Sequence, residues 1–323
     1  MPGRVPVIDK GSRIYVAGHQ GLLGSALQRR LASGGYANVL TAPRAAVDLT
    51  DSQAVQVFFE RERPECVILA AARVGGILAN RTHPGEFIHE NLMIQASVLE
   101  AARLTGVGRL LFFGCGCVYP REAPQPMKEQ DLHTGPVEPT SEPYAIAKLA
   151  GMTMCAAYAR QYGVRFQPLI PASIYGPNDN FDPESSHVLA ALIRKFHEAK
   201  EQGGPVVIWG TGVPRREFVY ADDLADACLF LLTLDDGAVD AVLGPSGSPV
   251  NVGVGQDVAI RDLALLLKEA TGFRGAIEFD ASKPDGAPRK LLDSSRMALL
   301  GWRPKTSLEE GIRRTCEWYN RAR

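Results

Sequence analysis

Tyr144 and Lys148 stand four residues apart in Ser141-Glu-Pro-Tyr144-Ala-Ile-Ala-Lys148. On a helix that spacing puts both side chains on one face. An ammonium beside a phenol favours the phenolate and makes the hydroxyl a better proton donor near neutrality. Carbonyl reduction needs such a donor where the alkoxide develops. Upstream, Gly114-Cys115-Gly116-Cys117-Val118-Tyr119-Pro120 brings two thiols into an apparent strand-to-loop segment, too close in the chain for a relaxed disulfide. Cys66, Cys155, Cys228 and Cys316 are scattered singly through apolar or helical stretches and read as buried thiols. No Cys/His pair has zinc-finger spacing, so no metal site is expected.

A Tyr-x-x-x-Lys pair arises by chance in many helices, so the elements that carry it decide its meaning. Arg13–Ala17 reads as a buried strand, followed by Gly18-His19-Gln20-Gly21-Leu22-Leu23-Gly24 and a segment of helical period to Leu31. Strand, glycine turn and helix in that order form a nucleotide-binding unit. The glycines admit the pyrophosphate to the backbone, and the helix start offers free N–H groups. The second strand, about Asn38 to Ala42, ends in Ala42-Pro43-Arg44 where an NAD site would usually place an acid. A basic group there suits a 2′-phosphate and favours NADP. Asp48 falls near the adenine, and Thr50 or Asp51 caps the next helix.

Cys66–Ala70 is an uninterrupted apolar strand, as a doubly covered parallel sheet requires. Its continuation, Ala71-Ala-Arg-Val-Gly-Gly76, is small enough to let a cofactor pass. A helical region from about Pro84 to Thr105, strand Arg109–Phe113, the Tyr144/Lys148 helix to about Tyr162 and strand Arg165–Ile170 complete an alternating pattern. That pattern specifies an α/β fold with a doubly wound parallel (Rossmann) sheet. Beyond Tyr175 the pattern becomes irregular: His187 opens a helix, Val206–Gly210 is strand-like, and Lys283–Lys290 is a basic, turn-rich loop. These late cations suit a ligand with two phosphates.

The chain has 323 residues and a formal net charge of -1, so nothing points to nucleic acid or acidic membranes. Residues 1–11 read as a loose leader, and no stretch approaches the roughly 18 apolar residues of a membrane span. A soluble, cytoplasmic protein is expected.

Ala17-Gly-His19, Ala72-Arg-Val-Gly-Gly-Ile77, Glu142-Pro-Tyr-Ala-Ile-Ala-Lys148, Tyr175-Gly-Pro-Asn-Asp-Asn-Phe181, Ser186-His-Val188 and Phe279-Asp-Ala-Ser-Lys-Pro-Asp-Gly286 are specific in combination. Through them the chain resembles the GDP-L-fucose synthases of the extended short-chain dehydrogenase/reductase superfamily. The likeness runs over nearly all of the sequence after residue 12. It implies NADPH-dependent 3,5-epimerisation and 4-reduction of GDP-4-keto-6-deoxy-D-mannose. It also implies a cofactor domain over 12–174 plus about 216–252, and a smaller, irregular α/β substrate domain over 175–215 plus about 253–323. A homodimer packed through the helices around 84–105 and 143–162 is implied as well.

Residue by residue, the resemblance implies that Gly18 to Gly24, Arg44 to Leu49, Ala71, Phe113, Gly114, Cys115, Gly116, Lys148, Pro171, Ala172, Ser173, Ile174 and His187 line NADP(H). Tyr144 would be the proton donor and Lys148 its partner. Cys117 and His187 match the acid/base pair that inverts C3 and C5. Lys195, Trp209, Arg216, Asp285 and Lys290 match positions that hold the GDP-sugar, with lysine at 195 where the family often has arginine. The chemistry agrees: C3 and C5 flank the C4 ketone, so a thiol and an imidazole suffice to move their protons near neutrality.

One departure matters. The family carries a serine where this chain has Cys115, and often a second small polar residue at Gly116. A thiol is a weaker donor than a hydroxyl, and loss of one oxyanion donor costs on the order of a hundredfold in rate. The departure leaves open an enzyme that only epimerises or only reduces, a related GDP-4-keto-deoxy sugar as substrate, or a non-catalytic dinucleotide-binding protein.

Overall fold

The computed structural model describes residues 7–283 and 285–322. The chain begins β1 (Ile14–Ala17), α1 (Leu22–Ser33), β2 (Val39–Leu40), α2 (Ser52–Glu62), β3 (Cys66–Leu69), α3 (Ile77–Thr82), α4 (Pro84–Leu104), β4 (Arg109–Phe113), α5 (Glu142–Tyr162) and β5 (Arg165–Pro171). It continues through β6 (Ser173–Tyr175), α6 (Val188–Gln202), β7 (Val206–Trp209), β8 (Arg215–Arg216), β9 (Phe218–Tyr220), α7 (Ala221–Thr233), α8 (Asp236–Leu243) and β10 (Val250–Val252). The remaining elements are β11 (Val258–Ala259), α9 (Ile260–Thr271), β12 (Ile277–Asp280), β13 (Arg289–Lys290), α10 (Ser295–Leu300) and α11 (Leu308–Ala322).

Six parallel strands form the central sheet in the order β10-β5-β4-β3-β1-β2. Every residue of β1, β3 and β4 is buried, which is why these segments are apolar without alternation. The strand order reverses beside β1, between β2 and β3. In an open α/β sheet that switch point opens a crevice at the carboxyl ends of the strands. Edge strand β2 covers only Val39–Leu40, shorter than the apolar pattern suggests, because only one neighbour holds it.

α4 and α5 pack closely over one face of the sheet. A Cβ on Gly151 of α5 would collide with the Phe112 ring and lie 2.7 Å from Gln95 Oε1 of α4, so glycine sets their approach. Gln95 Nε2 donates to the Ala147 carbonyl at 2.7 Å, and the Tyr158 hydroxyl donates to Glu100 at 2.7 Å. Helix α5 thereby holds a fixed height above the carboxyl end of β4.

A second apolar cluster gathers Leu192, Ile193 and Phe196 of α6, Leu263 and Leu267 of α9, Phe273 and Ile312. Beside it run the parallel pair β7/β12 and the three-stranded β11-β8-β13. Two buried polar side chains tie the segments between the clusters. Glu217 accepts from the backbone N–H groups of Val254, Gly255 and Leu292. Asn251, fully buried, accepts from the Tyr119 hydroxyl at 2.6 Å and donates to the Met127 and Asp293 carbonyls.

The expected loose leader differs over its described part. Ile8 is buried in the core, and Asn38 Nδ2 donates to the Gly11 carbonyl at 2.6 Å. Residues 1–6 of that leader lie outside the described residues.

Candidate active site

The turn after β1 is set by sterics. Gly18 has φ +83°, and a Cβ there would stand 2.7 Å from the Ala71 backbone. A Cβ on Gly24 would run into the Gly18 carbonyl. Gly21 is different: its nearest neighbour would be 3.6 Å from an added Cβ, so space remains above it. Helix α1 starts at Gly21 without a side-chain cap and with no acidic residue in its first turn. His19 and Gln20 complete the turn, and Leu22 and Leu23 open the helix. Its first N–H groups and positive end suit an anion.

Arg44 is 73% exposed and lies 3.5 Å from Asp48 and 4.0 Å from Glu90 of α4, poised at the cleft edge rather than folded into it. Hydrogen bonds from the Thr50 backbone and hydroxyl hold the Asp48 carboxyl below the usual range. Asp51, not Thr50, caps α2. Leu49 packs against the core. Phe113 to Gly116 leave β4, and Pro171 to Ile174 join β5 to β6, at the same carboxyl edge of the sheet as the glycine turn. Lys148 is 4% exposed, and its amine has no hydrogen-bond acceptor among the described residues. A buried lysine beside the Phe112 and Tyr144 rings, a turn closed to side chains at Gly18 and Gly24 and an uncapped helix start together fit a dinucleotide.

The Tyr144 ring meets Phe87 edge-on, with centroids 6.2 Å apart, and Phe87 carries the Arg73 guanidinium 5.4 Å above it. Lys148 Nζ lies 4.9 Å from the Phe112 centroid and 5.8 Å from that of Tyr144. The expected lowering of the phenol by its lysine does not appear. Burial pushes the Tyr144 hydroxyl up, and the same burial pulls the Lys148 amine down to about 8. Desolvation outweighs an ammonium that sits over the ring. Tyr144 is therefore held protonated, as a donor must be.

In the turn after β4, Cys115 and Cys117 are joined in a disulfide. Cys115 is extended (φ -162°, ψ 160°) and residues 116–118 make one 3-10 turn, which sets the two Cα atoms 5.4 Å apart. That lies within bridging range despite the single residue between them. Both cysteines are half-buried, and a Cβ on Gly116 would meet nothing within 4 Å, so the turn faces open space. Val118 and Tyr119 behind it are buried, and Tyr119 is pinned to Asn251. The other four cysteines are free and buried, as read from the sequence.

His187 caps α6 and is brought to this cleft by the Ser185 carbonyl, which accepts from Gly76 N–H at 2.8 Å. Gly75 in turn lies against Phe87, the neighbour of Tyr144. His187 keeps surface open to the cleft, yet crowding by protein lowers its pKa below the ordinary imidazole value. A neutral imidazole results near pH 7. Ser186 Oγ beside it is buried without a partner.

The remaining residues form two groups. Trp209 is 61% exposed, with Lys195 Nζ 5.6 Å and Lys283 Nζ 5.7 Å from its ring. Asp285 accepts from the Thr211 N–H and hydroxyl, fixing the turn after β7. In register on neighbouring strands β8 and β13, Arg216 and Lys290 stand side by side. Burial and the Arg216 charge lower Lys290 to about 8, with Glu138 opposing. A small cavity lined by Gly116, Tyr119, Glu138 and Lys290 lies between Lys290 and the cysteine turn. Sequence reasoning missed Phe87, Phe112, Glu138 and Lys283. Lys283 was visible as part of a basic loop, whereas the others become meaningful only once α4, β4 and the 138–141 turn are assembled.

Among the described residues no helix is long and apolar enough to cross a membrane, and no group of three His, Cys, Asp or Glu could hold a metal ion. The model of the NAD dependent epimerase/dehydratase family matches residues 14–253. The chain belongs to that family. It is 52% identical over 312 residues to GDP-L-fucose synthase 1 of Arabidopsis thaliana, covering 96% of this chain and 94% of that protein. A GDP-6-OMe-4-keto-L-xylo-heptose reductase from C. jejuni is similar in structure, with TM-score 0.93 and 36% identity over 98% of this chain and 100% of that one. A GDP-L-fucose synthetase from Naegleria fowleri bound to NADP has TM-score 0.87 and 27% identity, covering 98% of this chain and 97% of that one.

Proposed function

We propose that this family member is an NADPH-dependent epimerase/reductase that converts GDP-4-keto-6-deoxy-D-mannose to GDP-L-fucose. The observation that carries the reading is the convergence at one sheet edge. Tyr144 and Lys148 lie on α5, which packs against the cysteine turn after β4, and His187 follows the Ser185 carbonyl that accepts from Gly76 after β3, which supports one shared site. Identity of 52% and 47% to two GDP-L-fucose synthases over nearly the full chain supports the bifunctional reaction.

In this reading the glycine turn and α1 hold the pyrophosphate, Arg44 meets the 2′-phosphate, and Lys148 binds the ribose. Trp209 stacks on the guanine while Lys195, Arg216 and Lys290 neutralise the diphosphate. With the substrate so fixed, His187 and reduced Cys117 pass protons at C3 and C5, whose acidity comes from the ketone. Cys115 faces the ketone oxygen as a weak donor. Bound NADPH supplies hydride to C4, and Tyr144 gives its proton to the oxygen there. The division into cofactor domain (12–174 with about 216–252) and substrate domain (175–215 with about 253–323) belongs to this reading. Two separate apolar clusters support two domains, with Leu292, Met297 and Trp302 joining the cofactor-side cluster and Phe218 and Tyr220 the other. A cytoplasmic homodimer through α4 and α5 also belongs to this reading, and the exposure of Leu104, Ile146 and Tyr162 on these helices supports it.

The test is the stereochemistry of the product. Reduced protein, NADPH and the 4-keto sugar are incubated and the product is read by NMR. Inversion at both C3 and C5 with a 4-hydroxyl is expected. NADPH consumption with C3 and C5 retained would reduce the protein to a reductase.

A further inference from the structure

The cysteine turn carries a consequence that the epimerase/reductase reading does not contain. Two thiols occupy positions where chemistry is done, and the backbone presents them to each other at a Cα separation of 5.4 Å. The flanks hold that separation in place: Gly114 lies under Met152, Val118 is fully buried, and Tyr119 is tied to Asn251. Gly116 opens on free space and both cysteines are half-buried, so the turn is open to a small reagent. The four remaining cysteines are enclosed singly, and burial pushes Cys66 and Cys316 up to about 12, so neither is thiolate near neutrality.

We propose that Cys115 and Cys117 form a site of reversible oxidation that switches the enzyme off, with a small disulfide of the glutathione class as oxidant and a dithiol as reductant. One cysteine thiolate attacks the small disulfide, forming a mixed disulfide and releasing one thiol. The second cysteine then displaces the other small thiol and closes the Cys115–Cys117 bond. Two electrons pass to the oxidant, and the two cysteine protons leave with the released thiols. A dithiol reverses both steps. The closed bond removes the proton that Cys117 exchanges and the S–H that Cys115 offers the ketone oxygen, so the same event takes out both. A loop this short wins little from chain entropy, which argues against a stabilising staple. The inference rests on the reading of Cys117 as an acid/base group.

The test equilibrates the full-length protein in glutathione buffers from reduced to oxidised. Each sample is read three ways: intact mass, maleimide labelling mapped to peptides, and solvent-hydrogen exchange into the 4-keto sugar. Expected is a loss of two hydrogens from the intact mass, with both labels disappearing together from the peptide holding Cys115 and Cys117. Exchange falls in parallel by at least about a hundredfold and returns with dithiothreitol. In Cys115→Ser the two-hydrogen loss never occurs, and oxidised glutathione leaves only a single adduct. Active reduced protein that shows no two-hydrogen loss in any buffer would overturn the switch and leave the enzyme reading standing. Bond formation with undiminished exchange would overturn it from the other side, by showing that Cys117 moves no proton.

Discussion

Two turns leave the carboxyl edge of the same sheet and are built on opposite principles. The turn after β1 is specified by what it lacks: a Cβ at Gly18 or Gly24 strikes backbone, so its shape is fixed sterically. The turn after β4 has room to spare at Gly116, and its character lies in two sulfur atoms and the helix α5 beside them. A steric turn tolerates almost no substitution yet does no chemistry of its own. An open turn can change its residues without losing its path.

Breaking the chemical side should cost most. Tyr144→Phe removes the proton donor and should lower NADPH oxidation by about a hundred- to ten-thousandfold. The fold should survive, since the hydroxyl has no hydrogen-bond partner among the described residues. A smaller loss in stopped-flow absorbance would move the donor elsewhere. On the steric side the sign reverses. Gly24→Ala forces the Gly18 carbonyl aside, at about 1–3 kcal/mol of stability, and weakens cofactor binding with it. Gly116→Ala should stay within about 0.5 kcal/mol. Denaturant unfolding of the two variants checks the contrast, and equal losses would erase it.

A pH-dependent effect sharpens the account of α5. Lys148 holds its proton less tightly in the fold, at about 8, than its ordinary value of 10.5. Between those values the unfolded chain binds more protons, so stability rises with pH there, and as pH falls to 8 the contribution is lost. The stability difference between wild type and Lys148→Met should therefore climb from pH 8 toward 10 and lie flat below. A flat difference throughout would mean that the amine is not desolvated.

The strands of the parallel sheet were legible because burial on both faces leaves a plain apolar run, and the glycine turn because only glycine fits it. Strands of two or three residues such as β8 and β13 show no periodicity, so the pairing of Arg216 with Lys290 could not be read from the chain. The Tyr144/Lys148 spacing named the pair but gave the wrong sign for the phenol, since desolvation depends on Phe87 and Phe112 arriving from other elements. The approach of Cys115 to Cys117 depends on backbone conformation that spacing does not give, since one residue is extended and the next three turn.

The most direct measurement is incubation of the reduced protein with GDP-4-keto-6-deoxymannose in deuterated buffer, first without NADPH and then with it. Mass spectrometry should show deuterium entering at two carbons before any reductant is added, and NADPH absorbance should then fall in step with product. Reductant consumed with no deuterium at C3 or C5, or label exchange with NADPH untouched, would contradict the claim that one cleft performs both reactions.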